Sequence, residues 1–335
     1  MLMLALSLLV PGGRIARAET LCRDASALAP NDPEVRALVQ AVRSRSVGGW
    51  YFTMVRDERR HALYADAFRE VFPPDCTVLD VGAGTGLFAM IAAQEGAARV
   101  IACERNPFVA DAAREIVELN GFGDRVKVVA KDSRQLQIGT DLDGSADVLV
   151  WDNLSNDLFG AGALDVVDDA RRRLLKRGAP IVPNRCEVRV ALVESNRTAG
   201  TRTDAAAGFD ISPFNRLRPS QVTVAPEQLE WRSDSASLFD VDFAAAEPLR
   251  SQRNRAKISA IGGKIDGIVQ WLRFHISEGV IYDTRDDQGV TAFGMQYHAV
   301  EPFDAAAGQE LTIAGAHDRQ RSWFWVEPAN SVAGE

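Results

Sequence analysis

Residues Thr77 to Glu104, TVLDVGAGTGLFAMIAAQEGAARVIACE, leave this chain little freedom of fold. Val78, Leu79 and Val81 form a short apolar run around Asp80, the pattern of a buried parallel strand. Gly82, Gly84 and Gly86 follow at once, a spacing that permits positive φ and close approach of a ligand to the backbone. Leu87 to Gln94 reads as a helix ended near Gly96, and Val100-Ile101-Ala102-Cys103 as a second strand that stops at the acidic Glu104. A strand, glycine turn, helix, strand and acid in this order make a unit that binds an adenosine-bearing cofactor. The acid at the end of the second strand accepts hydrogen bonds from the ribose hydroxyls.

A dinucleotide turn would read G-x-G-x-x-G, with its helix N-terminus facing a pyrophosphate. Here Asp80 leads a tight G-x-G-x-G instead. This turn resembles that of class I methyltransferases, whose cofactor is S-adenosyl-L-methionine. That cofactor carries a sulfonium and an amino acid rather than a pyrophosphate, and an acid at the head of the turn suits its charge. The alternatives, an NAD site or a glycine turn without ligand, fit the downstream sequence poorly.

The chain's 335 residues are enough for two compact domains, or for one large domain with an appendage. A formal net charge of −8 argues against a broad nucleic-acid footprint and suits a cationic substrate. Cys22, Cys76, Cys103 and Cys186 are scattered, without a C-x-x-C pair, which excludes the usual zinc spacing and a disulfide framework and points to a reducing, cytoplasmic compartment. His61, His275, His298 and His317 show no metal spacing, so no metal is expected.

Met1 to Val10 is apolar, and Ala16-Arg17-Ala18 looks like a signal-peptidase site. However, no basic residue precedes the run and Pro11-Gly12-Gly13-Arg14 interrupts it. Ala18 to Glu34 resembles the second helix and exit turn of a tetratricopeptide repeat, with Asn31 or Asp32 capping the next helix and Pro33 in its first turn. The expectation is a short helical cap over residues 1–48 that packs on the enzyme, with no membrane span.

Trp50 to Phe72 reads as a helical lead-in, ended by Pro73-Pro74. Beyond Glu104 the pattern predicts a helix over Ala110–Leu119 and strands over Val126–Ala130 and Asp147–Trp151. Lys131-Asp132-Ser133 follows the first of these strands and Asp152 the second. A helix over Leu164–Leu175 leads to Ile181-Val182-Pro183. After Pro183 the partial alternation and aromatics of Val188–Val193, Leu238–Phe243 and Ile265–Ile276 read as antiparallel strands. The polar stretch Asn196–Gly208 reads as a loop or protruding arm.

An α/β cofactor domain joined near a Val-Pro to a strand-rich domain resembles the protein arginine methyltransferases, from about Trp50 to Pro328. The residues that carry the likeness are Met54 to Arg60, Val78 to Met90, Asn153 to Ala163, Ile181-Val182-Pro183, Leu238 to Phe243 and Gly267 to Trp271. Ala110 to Phe122 is particularly similar to the monomethylating branch. The resemblance implies an α/β fold: a Rossmann-like, seven-stranded methyltransferase domain over residues 49–182, then a β-barrel-like substrate and dimerisation domain over 183–335. It implies that Arg60 pairs with the cofactor carboxylate, that Gly82 and Gly84 approach its methionine part, and that Glu104 holds the ribose. Asp132 and Ser133 stand where the adenine is read. It also implies a homodimer formed through an arm of the second domain.

The match fails on the acceptor side. The family's substrate loop carries two glutamates, because a guanidinium stays charged at any working pH and two carboxylates can hold its fork. Here those positions hold Asp152, one methylene shorter, and Ala161, which has no acid; Asp157 lies between them. Phe293 and Gly294 stand at the family's His-Trp. Intact cofactor residues beside altered acceptor residues point to a methyltransferase with a changed acceptor. Asp152 would be its catalytic carboxylate, orienting the nucleophile or taking its proton. The expected reaction is N-methylation of a small-molecule or peptide acceptor, with a guanidine among the candidates. The alternatives are a protein arginine methyltransferase with an atypical loop, and a non-catalytic partner that binds the cofactor.

Overall fold

The computed structural model describes residues 1–195, 203–219, 221–285 and 292–327. By its internal contacts the chain divides into two units. One comprises Met1–Asn153, Val166–Pro183 and Ile276–Val280; the other comprises Leu154–Asp165, Asn184–His275 and Ile281–Glu335.

In the first unit, α1 (Leu2–Leu4) continues as a π-helical turn over Ala5–Leu9 and is followed by α2 (Ile15–Leu28) and α3 (Pro33–Ser46). Leu2, Ala5, Leu6 and Leu9 bury their side chains against Ala18, Cys22 and Ala25 of α2 and Val39 and Val42 of α3. The expected cap of α3 is present: the Asp32 carboxylate accepts the N–H groups of Glu34 (2.8 Å) and Val35 (3.3 Å), and Pro33 opens the helix. Phe108 packs against this helical cluster, and Asn106 Nδ2 donates to the Ser46 carbonyl at 2.8 Å. The cap is thereby joined to the cofactor domain.

The lead-in is two helices rather than one, α4 (Trp50–Met54) and α5 (Glu58–Val71). Asp57 makes the break, since its carboxylate caps α5 by accepting the Arg60 N–H at 2.9 Å. The parallel strands are β1 (Thr77–Val81), β2 (Arg99–Cys103), β3 (Val126–Val129), β4 (Val148–Trp151) and β5 (Ile181–Val182), in the order β3-β2-β1-β4-β5. Among the described residues this sheet therefore has five strands where the family likeness implied seven. Helix α6 (Leu87–Gln94) has the bounds its sequence implies. α7 (Pro107–Leu119) starts three residues earlier than expected, because Asn106 caps it and Pro107 opens it. α8 runs over Ala163–Arg173.

The second unit is antiparallel. Its strands are β6 (Arg185–Ser195), β7 (Ala205–Ala206), β8 (Phe209–Asp210), β9 (Gln221–Val224), β10 (Leu229–Asp242), β11 (Gln252–Ser259), β12 (Gly263–His275), β13 (Ile281–Asp283), β14 (Met295–Ala305), β15 (Glu310–His317) and β16 (Ser322–Glu327). One sheet has the order β10-β6-β12-β14-β9, with β13 paired to β12; another has the order β11-β15-β16. Trp271, Tyr297, Met295 and Val269 build part of its core. Of the stretch expected to be a loop or arm, residues 196–202 lie outside the described residues. The rest leads into the β7–β8 hairpin and a 3₁₀ turn, Ser212–Leu217, where Phe209, Phe214 and Leu217 are exposed. Among the described residues, no helix is long and apolar enough to cross a membrane.

Candidate active site

The first sheet reverses its strand order at β1, which lies between β2 and β4. Open α/β sheets bind ligands at such a point, beyond the carboxyl ends of the strands. Val81 is in register with both Cys103 and Trp151, the last residues of the neighbouring strands. The next residues along the three strands are Gly82, Glu104 and Asp152. Strand register alone thus brings the glycine turn and two of the expected carboxylates to one edge.

Gly82 and Gly84 have φ of +77° and +54°, values that L side chains rarely adopt. A Cβ on Gly82 would stand 3.3 Å from Asn153 Cβ, and one on Gly84 would stand 3.6 Å from the Tyr51 ring. Glu104, buried at 3 % exposure, accepts the Gly84 N–H (3.1 Å) through Oε2 and the Asn106 N–H (2.7 Å) through Oε1. Burial raises its proton affinity and these two bonds oppose that rise. The acid expected at the ribose thus also orders the turn.

Asp80 is equally buried, and its Oδ2 has no hydrogen-bond partner among the described residues. Burial first, then the nearby Asp152 and Glu104 charges, push its carboxyl up to about 8. A buried, unpartnered carboxylate oxygen beside two more acids is an unfavourable arrangement until a cation or a donor reaches it. The ammonium and sulfonium of S-adenosylmethionine supply that charge, and the glycine turn leaves the backbone open to close approach. These residues fit the cofactor.

Arg60 and Asp152 are brought together, although the family likeness gave them separate tasks. Arg60 Nη1 donates to Asp152 Oδ2, and its Nη2 donates to the Met54 carbonyl at 3.1 Å. The guanidinium also lies over the Phe88 ring, 5.1 Å from its centroid. Burial raises the Asp152 carboxyl; Arg60, and a hydrogen bond to Tyr64, pull it back. Asp132 turns its carboxylate onto Arg134 (2.8 Å to Nε and 2.6 Å to Nη2) and caps a short 3₁₀ turn. Ser133 is buried, and its carbonyl accepts Arg173 Nη2 at 3.2 Å.

Four residues of this edge escaped sequence reasoning: Tyr51, Asp57, Tyr64 and Asn153. The aromatic pair Trp50-Tyr51 was a usable signal for the first, and the Asp57–Arg60 spacing was one for the second. Tyr64 reads only as part of an apolar helix face and Asn153 only as the start of the loop that carries the family likeness.

The loop Leu154–Asp165 belongs to the second unit. Asp157 does not extend as a second acid: its Oδ1 accepts Ser155 Oγ (2.5 Å) and the Gly160 N–H (3.1 Å). Leu158, at φ +69°, and Phe159 are fully buried. Phe159 stacks on His317 at 4.1 Å. Phe293 packs on Phe274 at 5.1 Å, and a Cβ on Gly294 would meet Thr223 Cγ2 at 2.6 Å, so this position has no room for a larger residue.

Known proteins share both the fold and much of the sequence. Residues 63–179 match the family model of the ribosomal protein L11 methyltransferase. The Trypanosoma brucei PRMT1 enzyme–prozyme complex with AdoHcy superimposes with a TM-score of 0.73 at 24 % identity, covering 86 % of this chain and 96 % of that one, which shows the fold. Protein arginine N-methyltransferase 7 of Gallus gallus is 33 % identical over 318 residues, 83 % of this chain; the chain spans 46 % of that relative's length. The arginine N(omega)-methyltransferase of Streptomyces achromogenes subsp. streptozoticus is 31 % identical over 304 residues, 88 % of this chain and 84 % of that protein. On this likeness the chain belongs to the arginine methyltransferase family and is an S-adenosylmethionine-dependent methyltransferase.

Proposed function

We propose that the protein methylates a guanidinium nitrogen of arginine, and that its acceptor is the free amino acid. The observation that carries this reading is Asp152, a largely buried carboxylate that already holds a guanidinium, that of Arg60, at the carboxyl end of β4. The relative covered over most of its length is named for arginine itself. The relatives named for protein arginine are spanned over half their length or less.

S-adenosylmethionine supplies an electrophilic sulfonium methyl. As the acceptor nitrogen took the methyl, the C–S bond would break and the neutral thioether product would leave; Asp152 would orient that nitrogen and accept the proton it sheds. Burial strengthens Asp152 as a base, which favours this transfer. Arg60 would share its guanidinium between Asp152 and the cofactor carboxylate, a charge-assisted contact. Gly82 and Gly84 give room at the methionine part, Glu104 holds the ribose, and Asp132 and Ser133 border the adenine. Asp80 balances the cofactor's positive charge.

The reading on protein arginine is favoured by the 33 % identity to the Gallus gallus relative and stands second. The chain would act as a homodimer, joined through the exposed Phe209, Phe214 and Leu217. Four free, buried cysteines suit a reducing, cytoplasmic setting.

Methyl transfer from labelled cofactor, with free arginine, an arginine-rich peptide and a metabolite extract as acceptors, tests the proposal. Transfer to free arginine, reduced by about 100-fold or more in Asp152→Asn, is the expected result. Transfer to the peptide alone moves the assignment to protein arginine. Transfer only to an extract component that lacks a guanidine overturns it.

A further inference from the structure

We infer that Asn156 is the positioning residue of the acceptor loop, pinned by a chain of neutral amides on β9, β12 and β14. This inference rests on the guanidine-methylation reading for its kinetic consequence, though not for its structural one. Asn156 is held twice. Its carbonyl accepts Gln270 Nε2 of β12 at 3.2 Å, and its side-chain Oδ1 accepts the Gly294 N–H, just before β14, at 3.2 Å.

The holders are themselves held. Gln270 Oε1 meets His298 Nε2 at 3.2 Å. Gln296 Nε2 donates to the Gly294 carbonyl (3.2 Å) and to Thr223 Oγ1 (3.0 Å), and Gln296 Oε1 accepts Gln221 Nε2 (3.2 Å). Gln270, Gln296 and His298 are all buried. Burial lowers His298 to about 4, so the chain is uncharged at neutral pH. A buried polar network whose members satisfy one another rigidifies what it touches.

This network holds loop, not guanidinium. Its amides bond to one another and to loop backbone, and it offers no carboxylate to a cation. Gly294 fits the same reading, because a Cβ there would meet Thr223 Cγ2 at 2.6 Å, which leaves no space for the large residue that the family likeness puts at this position. The rest of the loop is fixed by independent means: Asp157 closes its turn, Leu158 accepts a strained backbone, and Phe159 is stacked. Asn156 lies only four residues after Asp152 in the sequence.

The test compares Asn156→Ala with Asn156→Asp in the full chain, using S-adenosylmethionine and free arginine. The aspartate keeps an oxygen for the Gly294 N–H; the alanine does not. In Asn156→Ala, amide exchange over residues 157–163 and KM for arginine should each rise about fivefold to tenfold, the equivalent of one lost hydrogen bond. The kcat and the cofactor Kd should stay within about twofold of the parent, and Asn156→Asp should restore both altered readouts. Unchanged loop exchange in Asn156→Ala, or a loss that Asn156→Asp fails to rescue, overturns the inference. If the parent methylates no guanidine, the proposed function fails alone, and the exchange measurement still decides the role of Asn156.

Discussion

Replacing Asp80 by asparagine keeps the shape of the side chain and removes one ionisable group from the cofactor edge. In the native chain the Asp80 carboxyl is raised from 3.8 to about 8 by burial, with the Asp152 and Glu104 charges adding to the effect. Above pH 4 the unfolded chain has lost this proton while the folded chain still holds it. Native stability without cofactor therefore falls as pH rises from about 4 to about 8, and is level beyond that. Roughly four decades in proton affinity, at about 1.4 kcal/mol each, set an upper bound of about 6 kcal/mol on the loss. Hydration of the site lowers this, and about 2 kcal/mol is a working expectation at pH 8.

The substituted side chain would still offer an amide oxygen to the Ala89 N–H that Asp80 accepts, and its NH₂ would face the Asp152 and Glu104 carboxylates. Asp80→Asn should therefore raise the cofactor-free melting temperature at pH 8 by about 4–8 °C, with little change at pH 4.5. Affinity should move the other way: about tenfold weaker for S-adenosylmethionine, and less affected for its thioether analogue, which keeps the ammonium but lacks the sulfonium charge. Melting curves at both pH values, with calorimetry for the two ligands, make the test. Equal melting shifts at both pH values, or equal losses for both ligands, would refute the view that Asp80 answers the cofactor's charge.

Other consequences are simpler to check. Gly84→Ala, which forces a side chain onto a φ of +54° beside Tyr51, should weaken the cofactor at least about tenfold by calorimetry, with the fold retained in circular dichroism. Asp32→Ala removes a helix cap and should lower stability by about 1 kcal/mol in urea without altering turnover. Phe214→Asp should abolish self-association in sedimentation while leaving the far-ultraviolet spectrum unchanged, since the ring is exposed.

The parts of the fold legible in the sequence are those set by short-range pattern. The apolar run of β1, the glycines and the helix Leu87–Gln94 lie within one stretch, and each residue's preference agrees with its neighbours'. The Asp32-Pro33 cap was legible for the same reason. Asp57 was missed as a helix start because the apolar spacing of Trp50–Phe72 runs on through it; only the capping bond breaks the helix there. The pairings that define the site join residues far apart in the chain. Arg60 and Asp152 are 92 residues apart, and Asn156 reaches a residue 138 positions away. No local pattern encodes such contacts. Resemblance named Arg60 and Asp152 separately, and their union appeared only with the strand register. Asp157 shows the converse: an acid in a plausible sequence position whose direction a turn had already settled.

On the proposed function, charge accounts for acids kept along the cofactor edge and for Ala161 in place of the family's second acid. Asp80, Glu104 and Arg60 are buried and the Asp152 side chain is nearly so, which leaves an excess of negative groups wherever all are ionised. Such an excess is unfavourable in the empty protein and favourable once two cationic reactants arrive. Of the two, the cofactor's charge is fixed by its sulfonium and remains only until the methyl leaves. On the proposed function, the acceptor's charge would be carried by a guanidinium that no working pH removes. A second carboxylate at position 161 would hold that guanidinium more firmly, and would hold the methylated product just as firmly, because methylation leaves its charge in place. With Ala161 in the sequence there, the proposed acceptor would have Asp152 as its carboxylate, without the family's second acid. That arrangement favours a small acceptor held by shape over a long peptide held by paired acids, which is why free arginine is the first acceptor to try.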